Sequence, residues 1–200
     1  MQRALVLSLP LTLTLSRLVL GPLFLLFYLY ESELGIPKLA TPFILLSISG
    51  YSELSDFFDG YFARKFKQVT DLGKLLDPMT DSVFRISVFL TFTQGLIKLP
   101  LIVVLLFFYR DMVIGTLRTV CALKGFALAA RWSGKVKAFL QGCTMIAILT
   151  LMIPYHLGYI SLEMLRGFAF WTTLPVALYT LGSGLEYLYA NREHIKKALS

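Results

Sequence analysis

The sequence predicts an all-α integral membrane protein with six transmembrane helices, both termini in the cytosol, and residues 1–200 forming a single domain. Three observations predict it. Mean hydropathy is +0.71, and hydrophobic residues make up 56% of the 200 positions against 16% charged, where soluble domains carry about 25% charged. That is more apolar surface than one small soluble core can bury, and it excludes intrinsic disorder. Six apolar stretches recur along the chain; at about 20 residues each, six helices use roughly 120 residues and leave only short loops. The charge between the stretches alternates. Loops 64–75, 117–137 and 191–200 together with Arg3 hold 13 of the 19 basic residues, while the opposite set holds only Lys38, Lys98 and Arg166. The positive-inside rule places the basic set in the cytosol, which six spans satisfy and five do not.

The apolar stretches run over approximately 11–30, 39–63, 75–96, 99–120, 134–156 and 167–189. The first contains Arg17, which interrupts an otherwise signal-like apolar region; no A-x-A-like cleavage site follows, so a retained span is expected. Tyr28 and Tyr30 suit the outer interface, and Phe57, Phe58, Tyr61 and Phe62 the inner one. Net charge is +7, read as topology and lipid contact and not as nucleic-acid binding. Cys121 and Cys143 sit in apolar surroundings and are expected to be buried, inert thiols with no metal or disulfide pattern. His156 and His194 are isolated, and Gly182 and Gly184 are expected to serve close helix packing or flexibility in the last span.

The second and third spans carry the chemistry. Asp56 and Asp59 are three residues apart, and Asp77 and Asp81 four. On helices these spacings separate the members of each pair by roughly 60° and 40°, so each pair shares a face. A short cytosolic loop makes the two spans antiparallel neighbours, so the two acidic faces meet near the headgroup level. Four unpaired carboxylates in one small volume would repel strongly. An all-carboxylate set without His or Cys suits a hard divalent ion, Mg²⁺ or Mn²⁺. Four carboxylates suffice to bridge two ions, as in two-metal phosphoryl-transfer sites. Gly60, Ala63 and Gly73 leave room for a bulky ligand beside the acids, and Arg64 is within reach of a phosphate. The bland alternative is helix capping, with Asp59-Gly60 ending one helix and Asp77-Pro78 starting another. Capping is also a possible second role for Asp77. It does not account for the whole set, because ionisable residues within membrane spans are functional by default.

The run D-x2-D-G-x2-A-R-x8-G-x3-D-x3-D, Asp56 to Asp81, resembles the signature of the CDP-alcohol phosphotransferases at every fixed position. The resemblance implies that family's six-helix fold, a homodimer, and transfer of a phosphatidyl or similar group from a CDP-linked lipid to an alcohol with release of CMP. It implies metal ligation by Asp56, Asp59 and Asp77, with Asp81 as ligand or general base. It also implies that Gly60, Ala63, Arg64 and Gly73 lie against the CDP moiety.

The remainder is similar to the phosphatidylglycerolphosphate synthases of that family. Pro10-Leu-Thr12-Leu-Thr14-Leu-Ser-Arg17 resembles their P-N-x-L-T-x-x-R opening. Arg110-Asp111, Arg118, Trp132-Ser-Gly134-Lys135-Val-Lys137 and Gln141 resemble their R-E…R…W-x-G-K-x-K-T-x-x-Q pattern, with departures at Ser82, Asp111 and Ala138. The implied donor is CDP-diacylglycerol, the implied acceptor sn-glycerol 3-phosphate, and the place a multi-pass position in the inner membrane with the site on the cytosolic face. Relatives using inositol phosphate or serine share the aspartates. On the residues themselves, Arg110 and Arg118 are eight apart and share a helix face. With Lys135 and Lys137 they could form a pocket for a phosphomonoester dianion, although Arg110 could instead pair with Asp111. Lys124 and Arg131 read as loop charges. Arg85, one turn after Asp81, either supplies a cation there or pairs with that aspartate, and Glu53 has no assigned role. An ion-coupled transporter would also bury acids in spans, but it would place them near the midplane in two related halves.

Overall fold

The computed structural model describes residues 9–65, 71–125, 128, 131–193 and 195, with side chains for all of these except 9–11, 57, 59–64 and 71–75. The described residues form six helices: α1 (Leu9–Leu29), α2 (Thr41–Lys65), α3 (Asp71–Thr91), α4 (Leu101–Leu123), α5 (Trp132–His156) and α6 (Leu162–Ala190). Their number and order match the six apolar stretches. α3 lies earlier than its apolar stretch, because the chain turns at 92–100, and α6 begins five residues earlier, where Ser161 accepts a hydrogen bond from the Met164 N–H at 3.2 Å and so caps its first turn.

Two of the six, over Thr12–Leu29 and Trp132–His156, are apolar enough throughout to cross a bilayer by length and composition. The other four are long enough, at 21–29 residues. Charged side chains interrupt α2, α3 and α4, and polar residues dilute α6. The outward surface is apolar: Val19, Ile102, Phe139, Trp171 and Leu185 are each 60–69% exposed. A surface of that kind is expected against lipid and is unusual against water.

The chain divides into two compact units, Met1–Val88 and Phe89–Ser200. In the first, α1 packs along α2 and also meets α3. At Gly21 an added Cβ would lie 3.1 Å from both Cβ and Oγ of Ser87, so the absent side chain lets the two helices approach closely. Phe24, Leu45, Phe84 and Val88 fill the apolar interior, but Thr14, Arg17, Ser52, Ser55, Thr80 and Arg85 are buried too. This unit keeps its polarity inside.

In the second unit α6 packs against both α4 and α5. Phe89, Phe107, Ile114, Met145, Ile148, Leu149, Leu165 and Ala177 form its core, and the Phe89 and Phe107 ring centroids are 4.9 Å apart. Cys121 is buried as expected. Cys143 is exposed, contrary to the sequence reading, because its neighbours Gly142 and Thr144 face inward and it lies on the outer side of α5. Of Gly182 and Gly184 in α6, Gly184 does border a neighbouring helix, whereas a Cβ at Gly182 would meet nothing within 4 Å. His194 lies outside the described residues.

Candidate active site

In the first unit, three helices converge on one set of charges. α2 carries Glu53, Asp56 and Asp59; α3 carries Asp77, Asp81 and Arg85; α1 carries Thr14 and Arg17. Arg17 is fully buried. Its NH1 donates to Asp56 Oδ1 at 2.9 Å and also to Asp81 Oδ1. A single guanidinium nitrogen therefore joins a carboxylate of α2 to a carboxylate of α3. A buried cation needs such partners, because burial alone disfavours it by several kcal/mol.

Thr14, three residues before Arg17 and so on the same face, donates its hydroxyl to Asp77 Oδ1 at 2.7 Å. Glu53 grips Arg85, whose NH2 donates to both carboxylate oxygens at 3.1 Å and whose Nε donates to Oε1 at 3.3 Å. Arg85 NH1 lies 3.9 Å from Asp81 Oδ2. Asp81 thus has a guanidinium beside each of its oxygens, while its side chain stays 21% exposed and that of Asp56 42%.

Helix capping is overturned. α3 starts at Asp71, so Asp77 and Pro78 lie well inside it, and the Asp77 carboxylate is turned to Thr14. α2 runs through Asp59-Gly60 to Lys65. The side chains of Asp59, Ala63 and Arg64, and the surroundings of Gly60 and Gly73, lie outside the described residues.

Sequence reasoning noted Thr14 and Arg17 only as positions of the P-N-x-L-T-x-x-R-like opening and gave neither of them, nor Glu53, a role in the site. The available signal was Arg17 itself, a permanent charge in an apolar span. For Thr14 the signal was its place in that opening, since threonine is otherwise ordinary in a membrane helix.

The second unit holds a different set. Asp111 on α4 is buried; Lys137 of α5 donates to its Oδ1 and Oδ2 at 2.7 and 2.6 Å, and Arg110 NH1 donates to Oδ1 at 2.9 Å. The pairing of Arg110 with Asp111 allowed by the sequence is therefore present. Arg118 donates from Nε to the Tyr187 hydroxyl at 3.2 Å, with its guanidinium carbon 5.1 Å from that ring's centroid. Lys135 is exposed; two residues from Lys137, it points roughly 200° around α5 from it. Gln141, one turn beyond Lys137, is buried. Arg131 forms an exposed pair with Glu186, 2.7 Å from NH2 to Oε1, and Ser133 donates to the same carboxylate.

The first unit thus holds a carboxylate set at a helix junction and the second a separate cationic set, charged groups buried among largely apolar helices. The sequence profile of the CDP-alcohol phosphatidyltransferases matches residues 7–179, and the chain belongs to that family. It is a transferase of substituted phosphate groups. Among similar proteins, one from Bacillus subtilis (strain 168) is 30% identical over 197 residues, covering 94% of this chain and 97% of its own. One from Sodalis glossinidius (strain morsitans) is 32% identical over 94% and 97%, and one from Rickettsia typhi (strain ATCC VR-144 / Wilmington) 29% over 92% and 96%. Each of the three bears the name CDP-diacylglycerol--glycerol-3-phosphate 3-phosphatidyltransferase.

The family uses a CDP-linked lipid and an alcohol acceptor and is generally metal-dependent. The donors fit a hard divalent ion. They are carboxylate oxygens, and one from each of α2 and α3 already converges on a single cationic nitrogen. Among the described residues no three acidic, His or Cys side chains gather into a metal site; the Asp59 side chain is not among them.

Proposed function

We propose that the chain transfers a phosphatidyl group from CDP-diacylglycerol to sn-glycerol 3-phosphate, giving phosphatidylglycerol phosphate and CMP. The observation that carries the choice of acceptor is the buried Arg110–Asp111–Lys137 set, in which two cations share one anion. Its surplus positive charge suits a phosphorylated acceptor, and three relatives of nearly full coverage bear the name of that reaction. We place six spans in the inner membrane, with both termini and the site on the cytosolic side. The support is the 13 basic residues of one loop set and the apolar outward surface of the helices. A homodimer remains the expectation carried by the family resemblance.

Asp56, Asp59, Asp77 and Asp81 are the proposed ligands of two Mg²⁺ ions, with Mn²⁺ a workable substitute. Bound there, the ions offset the diphosphate charge and the charge developing on the departing CMP. Gly60, Ala63, Arg64 and Gly73 are proposed to lie against the CDP moiety. Arg17 and Arg85 hold the Asp81 carboxylate in a fixed orientation. Asp81 takes the proton of the acceptor hydroxyl as that oxygen bonds to the phosphorus bearing diacylglycerol, and the phosphorus–oxygen bond to CMP breaks. A carboxylate is a weak base for an alcohol, so its proton arrives late in the step. No covalent enzyme intermediate is needed. Arg110, Arg118, Lys135 and Lys137 are proposed to bind the acceptor phosphate.

The test is CMP release by purified protein in mixed micelles of CDP-diacylglycerol and Mg²⁺, with glycerol 3-phosphate, inositol phosphate, serine or no acceptor, each with and without EDTA. EDTA-sensitive release with glycerol 3-phosphate alone is expected. Release with a different acceptor would keep the chemistry and overturn the acceptor.

A further inference from the structure

Arg110 has two faces. Its NH1 is engaged by Asp111 at 2.9 Å, which fixes the guanidinium plane. Its Nε and NH2 are buried and have no hydrogen-bond partner, in a side chain only 8% exposed. These two atoms form the side-on edge through which arginine grips phosphate or carboxylate with parallel hydrogen bonds. Two buried N–H donors left without acceptors disfavour the fold unless something answers them.

The wall beside this edge lacks side chains at two points. Gly134 lies in the first turn of α5; a Cβ there would sit 3.5 Å from Arg110 NH2. Gly184 on α6 is tighter, since its Cβ would fall 2.9 Å from Arg110 Cγ and 3.9 Å from Nε. Cγ belongs to the stem, so relief would require the whole guanidinium to shift. The first turn of α5 adds amides. Its N-cap, Arg131, makes no side-chain cap hydrogen bond, and Gly134, in that first turn, lies beside the same arginine edge. A helix start of that kind favours an anion.

We propose that Gly134 and Gly184 are specificity-determining residues: they keep the Nε–NH2 edge of Arg110 and the amino end of α5 open to the phosphate of the acceptor. The inference rests on the acceptor reading above and adds to it the two residues that shape the phosphate subsite. Gly184 sets where the guanidinium sits, and Gly134 leaves the approach to it uncovered. Asp111 holds the opposite edge and so prevents Arg110 from turning its open edge away.

The test compares Gly134→Ala, Gly184→Ala and Arg110→Lys in the micelle assay, with melting temperature as the fold control. Arg110→Lys keeps the charge and loses the two-pronged edge. Both glycine variants are expected to raise KM for glycerol 3-phosphate, Gly184→Ala by about 10-fold or more, the scale of one charge-assisted hydrogen bond. KM for CDP-diacylglycerol and kcat at saturating acceptor should stay within about 2-fold, and inorganic phosphate should weaken as a competitive inhibitor. Should Gly184→Ala fail to fold, Gly134→Ala decides, since its added methyl makes only ordinary contact. An unchanged acceptor KM in folded glycine variants, with a raised KM in Arg110→Lys, overturns the proposal and leaves the acceptor reading standing. An unchanged KM in all three overturns both, as does turnover with serine alone.

Discussion

The two charged clusters are near mirror images in sign. In the first unit three carboxylates, those of Glu53, Asp56 and Asp81, share two guanidiniums, and a fourth, Asp77, accepts from the Thr14 hydroxyl. In the second, Arg110, Lys137 and Arg118 share one carboxylate, Asp111, and one tyrosine hydroxyl. Each cluster ties its helices together with a minority charge, Arg17 in one and Asp111 in the other. The majority charge is left in excess, and under the proposed function the sign of that excess matches the guest: cations where carboxylates dominate, phosphate where arginine and lysine do. A buried ion pair adds little stability over an apolar contact, so the clusters are better explained by what they bind than by what they hold together.

Four substitutions probe the contrast. The largest effect is expected from Asp81→Asn, which removes the proposed base while keeping shape; CMP release should fall by about 10²–10⁴-fold with the melting temperature little changed. Wild-type turnover in that variant would remove Asp81 from the chemistry.

Removing each minority charge comes next. Arg17→Gln leaves Asp56 and Asp81 without their shared donor and should lower stability by about 3 kcal/mol. Mg²⁺ should then raise its melting temperature more than it raises that of the wild type. Asp111→Asn leaves Arg110 and Lys137 facing one another at a similar expense of about 3 kcal/mol, and inorganic phosphate, not Mg²⁺, should restore it. If both variants responded to the same ion, the contrast in sign would not govern binding. The smallest effect belongs to Arg131→Ala, which breaks an exposed pair with Glu186; the melting temperature should be little changed, because exposed pairs contribute little, and turnover should stay within about 2-fold.

Much was legible in the order of residues. Hydropathy and length defined six helices, and the boundaries of α2, α4 and α5 fall within about three residues of the apolar stretches, because an apolar run of about 20 residues satisfies its backbone most simply as a helix. The spacing of Asp56, Asp59, Asp77 and Asp81 placed each pair on a helix face, since helical rotation per residue is constant. Residue type also supplied the expectations that the proposed function carries forward: a hard cation at carboxylates without His or Cys, and an anion at the arginines and lysines of α4 and α5.

Tertiary packing decided the partners. Arg17 lies 39 residues from Asp56 and 64 from Asp81, and no local periodicity links residues that far apart. Glu53 joins Arg85 across helices, Arg118 meets Tyr187, and Lys137 turns inward while Lys135, two residues away, is exposed. The same holds for Gly184, whose value lies in the arginine stem it accommodates from another helix. Composition and helical period are properties of one segment and can be read along it. Which charge neutralises which, and which donor is left free for a substrate, depends on how faces from distant segments are brought into contact, and only the packed helices determine that.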